Sequence, residues 1–575
     1  MEAVTTTPAG QDRPWLNEYG AGVPRELEQL PYANLAQLVS ASAAKYATKP
    51  AFTICLDNGL NATLTYQEMD QASDAFAAYL EHELGLKKGD RVAVQAPNCL
   101  AYPICAFGIF KAGCVLVNVN PLYTAPEMNH QLKDSGAKVL VIIDMFADKL
   151  TAALNGTQVN TVVLASVVDF FPQPKQSLLK FVLKRVKKAV PACPMPAVPL
   201  PRALKLGKGH LGRGLKRGEG LTRDDTSVLQ YTGGTTGVAK GAELTHGNLL
   251  SNLAQVLAIS KPSIQEGKDV VITALPLYHI FAFTANMLTF LSVGGHNVLC
   301  PSPRPPSNLR KAFELFPPTK FAGVNVLFQG LLREQWFRDN PPRTLSLTFA
   351  GGTALHPHVA EEWKKLVGSG ICEGYGLSET APVVTTNPVG GEIRLGTIGI
   401  PVQGTEIRIL GDDGQPLGYN QPGELAVKGP QVMRGYWGRP EATAEVLQDG
   451  WFRTGDIAEM DERGYLKIVD RKKDMIDVNG FNVYPNEVEA CLNAHPDVLE
   501  CAVVGVKSPT GGETVRAYVA PANDKLTAAE LEKWCRSQLT AYKVPKEFVF
   551  KKELPKSPVG KILRKDLRQE ANQGR

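Results

Sequence analysis

The stretch Tyr231-Thr-Gly-Gly-Thr-Thr-Gly-Val-Ala-Lys-Gly241 holds four glycines, three threonines and one lysine. Glycines at this density let backbone N–H groups turn toward an anion. Thr232, Thr235 and Thr236 add hydroxyl donors, and Lys240 adds a positive charge. That is polyphosphate-binding chemistry. It is not a Walker loop, which needs Gly-Lys-Ser/Thr, because Ala239 precedes Lys240 and Gly241 follows it. The bland alternative is a flexible, hydroxyl-rich turn, but the whole string is far more specific than a lone glycine-rich loop.

A second cluster of chemistry-bearing residues lies upstream. From Lys175 to Arg217 there are 12 Lys/Arg and no Asp/Glu, so the rest of the chain carries a net charge of −7. Within this insert (about 172–220), Ser177 to Val190 reads as a basic amphipathic helix, with Leu178, Leu179, Val182, Val186 and Ala189 as its apolar stripe. Such a helix suits an anionic membrane surface. A surface helix packed on the body and solvated on its charged side is an equally weighted reading. Pro191 to Gly220, rich in Pro and Gly, reads as a mobile loop. Nucleic acid is the weaker partner, because no aromatics interleave the cations.

Elements must position these residues. Thr65-Tyr-Gln-Glu68 is a capping box for a helix carrying Met69, Ala72, Phe76, Ala77 and Leu80, which stops near Gly85. Apolar β-rich runs follow at Val92–Ala96, Val115–Val119, Val139–Ile143 and Val162–Ala165, then at Val270–Leu275, Val298–Cys300 and Leu345–Phe349. Alternation with helical segments predicts parallel-rich sheets with crossover helices. Between about 390 and 470, alternating segments such as Thr405–Leu410 and Glu424–Val427, bounded by Asp-Gly and Pro-Gly turns, predict a small β-rich subdomain. The expected architecture is α/β with several subdomains: a body over 1–472 and a small mobile α+β domain over 473–575. Composition is globular, with 44% hydrophobic and 21% charged residues, which excludes fibrous structure and disorder throughout. No apolar run of 18 residues and no signal peptide is read, and ten scattered cysteines without C-x-x-C fit a reducing compartment.

Six further motifs follow the phosphate loop in order. They are Ala350-Gly-Gly-Thr353, Gly374-Tyr-Gly-Leu-Ser-Glu-Thr380, Trp451-Phe-Arg-Thr-Gly-Asp456, Val469-Asp-Arg-Lys-Lys-Asp474, Gly480-Phe-Asn-Val-Tyr-Pro-Asn-Glu487 and Pro555-Lys-Ser-Pro-Val-Gly-Lys561. With them the chain, from about 30 to 570, resembles the adenylate-forming enzymes: acyl-CoA synthetases, peptide-synthetase adenylation domains and luciferases. The strings LPLYHIFAF (275–283), VKGPQVMRGYW (427–437) and VDRKKDMI (469–476) are most similar to bacterial long-chain-fatty-acid–CoA ligases.

The resemblance implies activation of a fatty acid with ATP to acyl-AMP and pyrophosphate. Thioester formation with CoA and release of AMP follow, feeding β-oxidation; a medium-chain, aromatic or carrier-protein substrate is the alternative. It implies Mg²⁺ as cofactor and ATP and CoA as co-substrates; the basic insert adds the expectation of an anionic membrane surface met through 175–190, and no nucleic acid. The implied location is cytoplasmic, peripherally on the inner membrane face; a homodimer is admitted.

The implied ATP site comprises Tyr231, Thr232, Gly233, Gly234, Thr235, Thr236, Gly237 and Lys240, with Thr235, Thr236 and Lys240 on the β/γ-phosphates. Gly351, Gly352 and Thr353 line the adenine pocket, with Gly374, Tyr375, Gly376, Ser378 and Thr380 in the next motif; Tyr375 stacks on the base. Asp456 accepts from the ribose hydroxyls, and Arg471 adds a donor. Glu379 ligates Mg²⁺. The implied catalytic set is Lys561, Glu379, Thr236 and His279, with Lys561 bridging carboxylate and α-phosphate. Lys473 is the hinge, and Gly480 and Phe481 border the CoA tunnel. His279, Phe281, Phe283 and Val324 would wall the acyl pocket, although ordinary core packing fits them as well. Ser378 stands where Thr is usual, and Asn479 where related ligases often have Ser.

Overall fold

The computed structural model describes residues 9–232, 239–478, 481–507, 513–557 and 561–573. Two large mixed sheets build the body. The first runs, in spatial order, 435–436, 240–245, 226–232, 115–119, 91–95, 139–143, 161–165 and 198–199. Its strands from Thr226–Thr232 across to Val198–Pro199 pair in parallel. Val115–Val119 and Val139–Ile143 are buried at every position. Continuous Val/Leu/Ile runs of this kind are what a sheet covered on both faces requires. The second sheet centres on parallel strands Ile371–Gly376, Leu347–Ala350, Lys320–Gly323, Val270–Thr273, His296–Leu299 and Pro50–Cys55, with antiparallel strands at its edges.

A third sheet is antiparallel: Glu406–Leu410, Gly423–Lys428, Trp451–Met460, Leu447–Gln448 and Leu466–Arg471. Beyond it lie a two-stranded ribbon, Ile476–Val478 with Phe481–Val483, and the three-stranded sheet Val498–Lys507, Glu513–Pro521 and Glu547–Phe550. Helices Pro485–Asn493, Ala528–Gln538 and Arg564–Gln573 accompany that sheet. Val488, Cys491 and Leu492 turn inward from the first, and Leu531 and Cys535 from the second. The capping boxes at Thr65–Glu68 and Thr527–Glu530 are both formed.

The basic insert departs from expectation in two ways. Its helix runs Lys175–Phe181 and continues through a wider turn, Val182–Val186. Only Leu179 and Leu183 pack on the body core, while Leu178, Phe181 and Val186 turn outward, 63%, 58% and 66% exposed. Leu178 and Val186 therefore do not belong to an inward stripe. The segment after Pro191 is not simply a loop either. It forms the helix Leu200–His210, which buries Leu200, Ala203 and Gly207. A Cβ on Gly207 would stand 1.8 Å from the Ala75 carbonyl oxygen, so the missing side chain lets this helix seat on Tyr66–Ala78. Among the described residues no helix is long and apolar enough to cross a membrane.

Candidate active site

Strands Thr226–Thr232 and Lys240–Thr245 form a hairpin that pairs Thr232 with Lys240. The glycine-rich string of the sequence runs from the end of the first strand to the start of the second. Gly233, Gly234, Thr235, Thr236 and Gly237 lie outside the described residues, as does Gly480. Tyr231 turns its hydroxyl to Asp134 at 2.8 Å, and Arg439 holds the other oxygen of that carboxylate at 2.6 Å. The Tyr231 side chain thus ties the strand entering the turn to the helix Ala125–Ser135.

On the far side of the hairpin, Lys240 Nζ lies 5.0 Å from the ring centre of Tyr436. The Tyr436 hydroxyl donates to Glu379 Oε1 at 2.9 Å. One aromatic side chain therefore touches both the lysine of the glycine-rich string and the carboxylate expected to take a cation. Tyr436 lies in the quoted string 427–437, but nothing in its spacing marks it. Glu379 is only 9% exposed, and burial raises its pKa while the Tyr436 hydroxyl opposes that rise. A carboxylate buried with one side-chain donor is incompletely compensated and fits a hard divalent cation. Among the described residues no group of three or more His, Cys, Asp and Glu converges for a metal.

Asp456 sits on Trp451–Met460, opposite Arg471 across the ladder. Its two oxygens meet different donors. The Tyr375 hydroxyl donates at 2.5 Å to one, and Arg471 Nε lies 3.3 Å from the other. An ionised carboxylate has about four lone-pair sites, so this 4%-exposed group keeps acceptor capacity for a diol. Tyr375 comes from the end of Ile371–Gly376, and the third sheet delivers Asp456 and Arg471 to it.

The glycines near this site have tertiary causes. A Cβ on Gly376 would stand 2.0 Å from the Pro382 carbonyl oxygen, and one on Gly374 3.0 Å from that of Thr385. Gly352 has φ +78°, a conformation that disfavours side chains, and a Cβ on Gly351 would meet the Phe281 ring at 3.2 Å. Ser378 and Thr380 share the short turn Ser378–Thr380, where the Thr380 hydroxyl accepts from the Leu377 N–H and donates to the Pro382 carbonyl on either side. The Thr353 hydroxyl is buried without a partner.

Lys561 reaches this body from the C-terminal unit. Burial, with the positive charges of Arg471, Arg564 and Lys473, pushes its pKa down to about 7, against a pull upward from Asp456. Burial lowers His279 to about 4, with the Lys561 charge contributing. The tertiary structure therefore brings Lys561 within electrostatic reach of Asp456, Arg471, Lys473 and His279. Phe281 stands beside Gly351, and Val324 lies 3.8 Å from where a Gly352 Cβ would be. Phe283 is different. It is fully buried and packs edge-on to Phe110. Phe481 is exposed, its ring stacked on Tyr542 with centroids 4.9 Å apart.

Residues 39–437 match the family described as AMP-binding enzyme, and residues 487–561 match the AMP-binding enzyme C-terminal domain. A protein of Escherichia coli O157:H7 named long-chain-fatty-acid–CoA ligase is 48% identical over 558 residues, 97% of this chain and 98% of its own. A Bacillus subtilis protein of the same name is 37% identical over 566 residues, again 97% and 98%. Among solved structures, the anthranilate CoA ligase AuaEII in complex with anthranoyl-AMP superposes with TM-score 0.81 at 25% identity, covering 94% of this chain and 98% of that one. ATP-bound MatB from Rhodopseudomonas palustris superposes with TM-score 0.78 at 28% identity, covering 93% and 99%.

Proposed function

The chain belongs to the AMP-binding enzyme family, and from that premise we propose that it is a long-chain fatty acid–CoA ligase working by two half-reactions. The observation that carries the mechanism is the placing of Lys561 within electrostatic reach of Asp456, Arg471 and His279. The near-full-length likeness to proteins named long-chain-fatty-acid–CoA ligase supports the substrate class.

In the first half-reaction a fatty carboxylate attacks the α-phosphorus of ATP and pyrophosphate leaves. Two anions must converge, so positioning and charge neutralisation dominate the barrier. Asp456 accepts the ribose hydroxyls, held in place by Tyr375 and Arg471. Lys240, braced on Tyr436, meets the outer phosphates with Thr235 and Thr236. A divalent cation on Glu379 would neutralise phosphate charge. Lys561 lies between carboxylate and α-phosphate. Converging anions favour its ammonium form, so its stabilisation grows toward the transition state. His279 stays neutral above its lowered pKa and orients the carboxylate without adding charge. Phe281 and Val324 flank the acyl chain.

In the second half-reaction the CoA thiol attacks the acyl carbon and AMP leaves. Lys561 has no part in that step. The C-terminal unit turns at Lys473, withdrawing Lys561 and bringing Phe481 and Gly480 toward the thiol's path. Exposure of the Phe481 ring fits a surface that finds its partner in the other arrangement.

The helix 175–186 docks the enzyme on the inner face of an anionic membrane. Its outward Leu178, Phe181 and Val186 among exposed Lys184, Arg185 and Lys187 support this. A long-chain acid partitions into the bilayer, so the enzyme meets its substrate there.

The test is AMP release with MgATP and CoA across acids from acetate to stearate, plus oleate. A maximum at twelve or more carbons is expected. A maximum at short or aromatic acids would keep the mechanism and overturn the substrate. Release without CoA dependence would overturn the thiol acceptor.

A further inference from the structure

Arg564 stands three residues beyond Lys561, at the start of Arg564–Gln573. Its guanidinium meets three carboxylates: Glu489 at 2.5 Å, Asp470 at 3.2 Å and Asp474 at 3.4 Å. The Asn486 side-chain oxygen accepts a further bond. Asp474 is the last residue of the short turn Lys472–Asp474, just beyond Lys473, and Asp470 and Glu489 stand on different sides of that turn. Asp470 precedes it, on Leu466–Arg471, which is laddered into the third sheet of the body. Glu489 follows it, on Pro485–Asn493 of the C-terminal unit. Asp470 is fully buried and also accepts the Asn486 backbone N–H at 2.6 Å.

We propose that Asp470 and Arg564 form a latch that holds the C-terminal unit with Lys561 in the site, which makes them positioning residues for acyl-adenylate formation. The inference rests on the two-step reading above. If the unit turns at Lys473, the bonds from Arg564 to Glu489 and Asp474 travel with it. The bonds to Asp470, from the guanidinium and from the Asn486 N–H, must break. A buried charge separated from its partner is costly, so an intact latch biases the equilibrium toward the adenylate-forming arrangement. Asp470 Oδ1 also accepts the Arg471 backbone N–H at 2.7 Å, so loss of the Asp470 charge removes that bias without removing any side chain that meets substrate.

The decisive pair of variants is Asp470→Asn and Asp474→Asn. The first keeps size and an acceptor for Asn486 but removes the charge that crosses the turn. The second removes a charge from the same guanidinium on the travelling side. Three quantities are read: pyrophosphate exchange with MgATP and a long-chain acid, thioester formation from supplied acyl-adenylate and CoA, and trypsin cleavage after Lys472 and Lys473. In Asp470→Asn, adenylation should slow about tenfold while thioester formation stays within about twofold and trypsin cuts faster. Asp474→Asn should keep the parent's ratio of the two rates. Equal slowing of both steps by Asp470→Asn, or the same split in Asp474→Asn, would overturn the latch. If the parent forms no acyl-adenylate, the two-step reading fails. The cleavage comparison then decides: faster cutting in Asp470→Asn than in Asp474→Asn supports the latch, and equal cutting sinks it.

Discussion

Lys561 is pressed toward its neutral form by burial and by Arg471, Arg564 and Lys473. In the free enzyme it is mostly an ammonium below about pH 7 and mostly an amine above it. In the proposed mechanism adenylation uses the ammonium, so kcat/KM for that step should fall as pH rises through about 7. Bound ATP and fatty carboxylate add negative charge, so the corresponding fall in kcat should lie at higher pH. Lys561→Arg should remove the alkaline fall altogether, since a guanidinium keeps its charge; a fall that persists in that variant assigns it to another group. Lys561→Ala should abolish pyrophosphate exchange yet largely spare thioester formation from supplied acyl-adenylate, and equal loss of both would deny the assigned role. Asp456 has a narrower task. Its replacement by Ala should weaken ATP binding about 10- to 100-fold, the worth of charge-assisted bonds to a diol. Titration calorimetry with ATP checks this, and unchanged affinity would remove Asp456 from the ribose. Residue types and motif order make Lys561, Asp456 and Glu379 legible in the sequence. Tyr436 is not legible there, because its contacts to Lys240 and Glu379 join segments about 200 and 60 residues away.

Two elements bear on how the site is held and reset. The turn Lys472–Asp474 links the third body sheet to the ribbon at Ile476–Val478. Lys473→Pro fixes φ there, and a hinge absorbs its motion through just such dihedrals. Thioester formation should slow more than adenylation in this variant, and unchanged CoA-dependent turnover would remove the pivot from Lys473. The helix Leu200–His210 has a different constraint. Gly207→Ala would drive a methyl group into the Ala75 carbonyl, so the helix must shift or detach. A loss of about 1–3 kcal/mol is expected, read as a lower midpoint of denaturant unfolding. A midpoint equal to the parent's would mean that this helix contributes little to the fold. Pro and Gly in 191–220 read as a loop from composition. The structure buries Leu200 and Ala203 because a short apolar face is enough once Tyr66–Ala78 offers a complementary surface.

At the scale of the whole molecule, charge is divided: a body of net −7 carries an insert with 12 cations. Removal of charge at Lys184, Arg185, Lys187 and Lys188 together should weaken binding to anionic vesicles by about fivefold per charge at low salt. The difference should shrink as salt screens it. Equal vesicle binding by variant and parent at low salt would leave the insert as an ordinary surface feature. Helical spacing groups Leu178, Phe181 and Val186 on one face, but only the packing of Leu179 and Leu183 on the body shows that this face points outward.

The sequence by itself determined the parts of this protein whose information is local. Motif residues, capping boxes, buried strand runs and the order of subdomains are written in short windows, because propensity and periodicity act over a turn or a strand. Tertiary structure alone decided which of these parts meet. It set Tyr375 on Asp456, Tyr436 between Lys240 and Glu379, Phe283 in the core beside Phe110, and Arg564 across the turn from Asp470. Those contacts depend on sheet register and on the seating of one unit upon another, and no spacing along the chain encodes either.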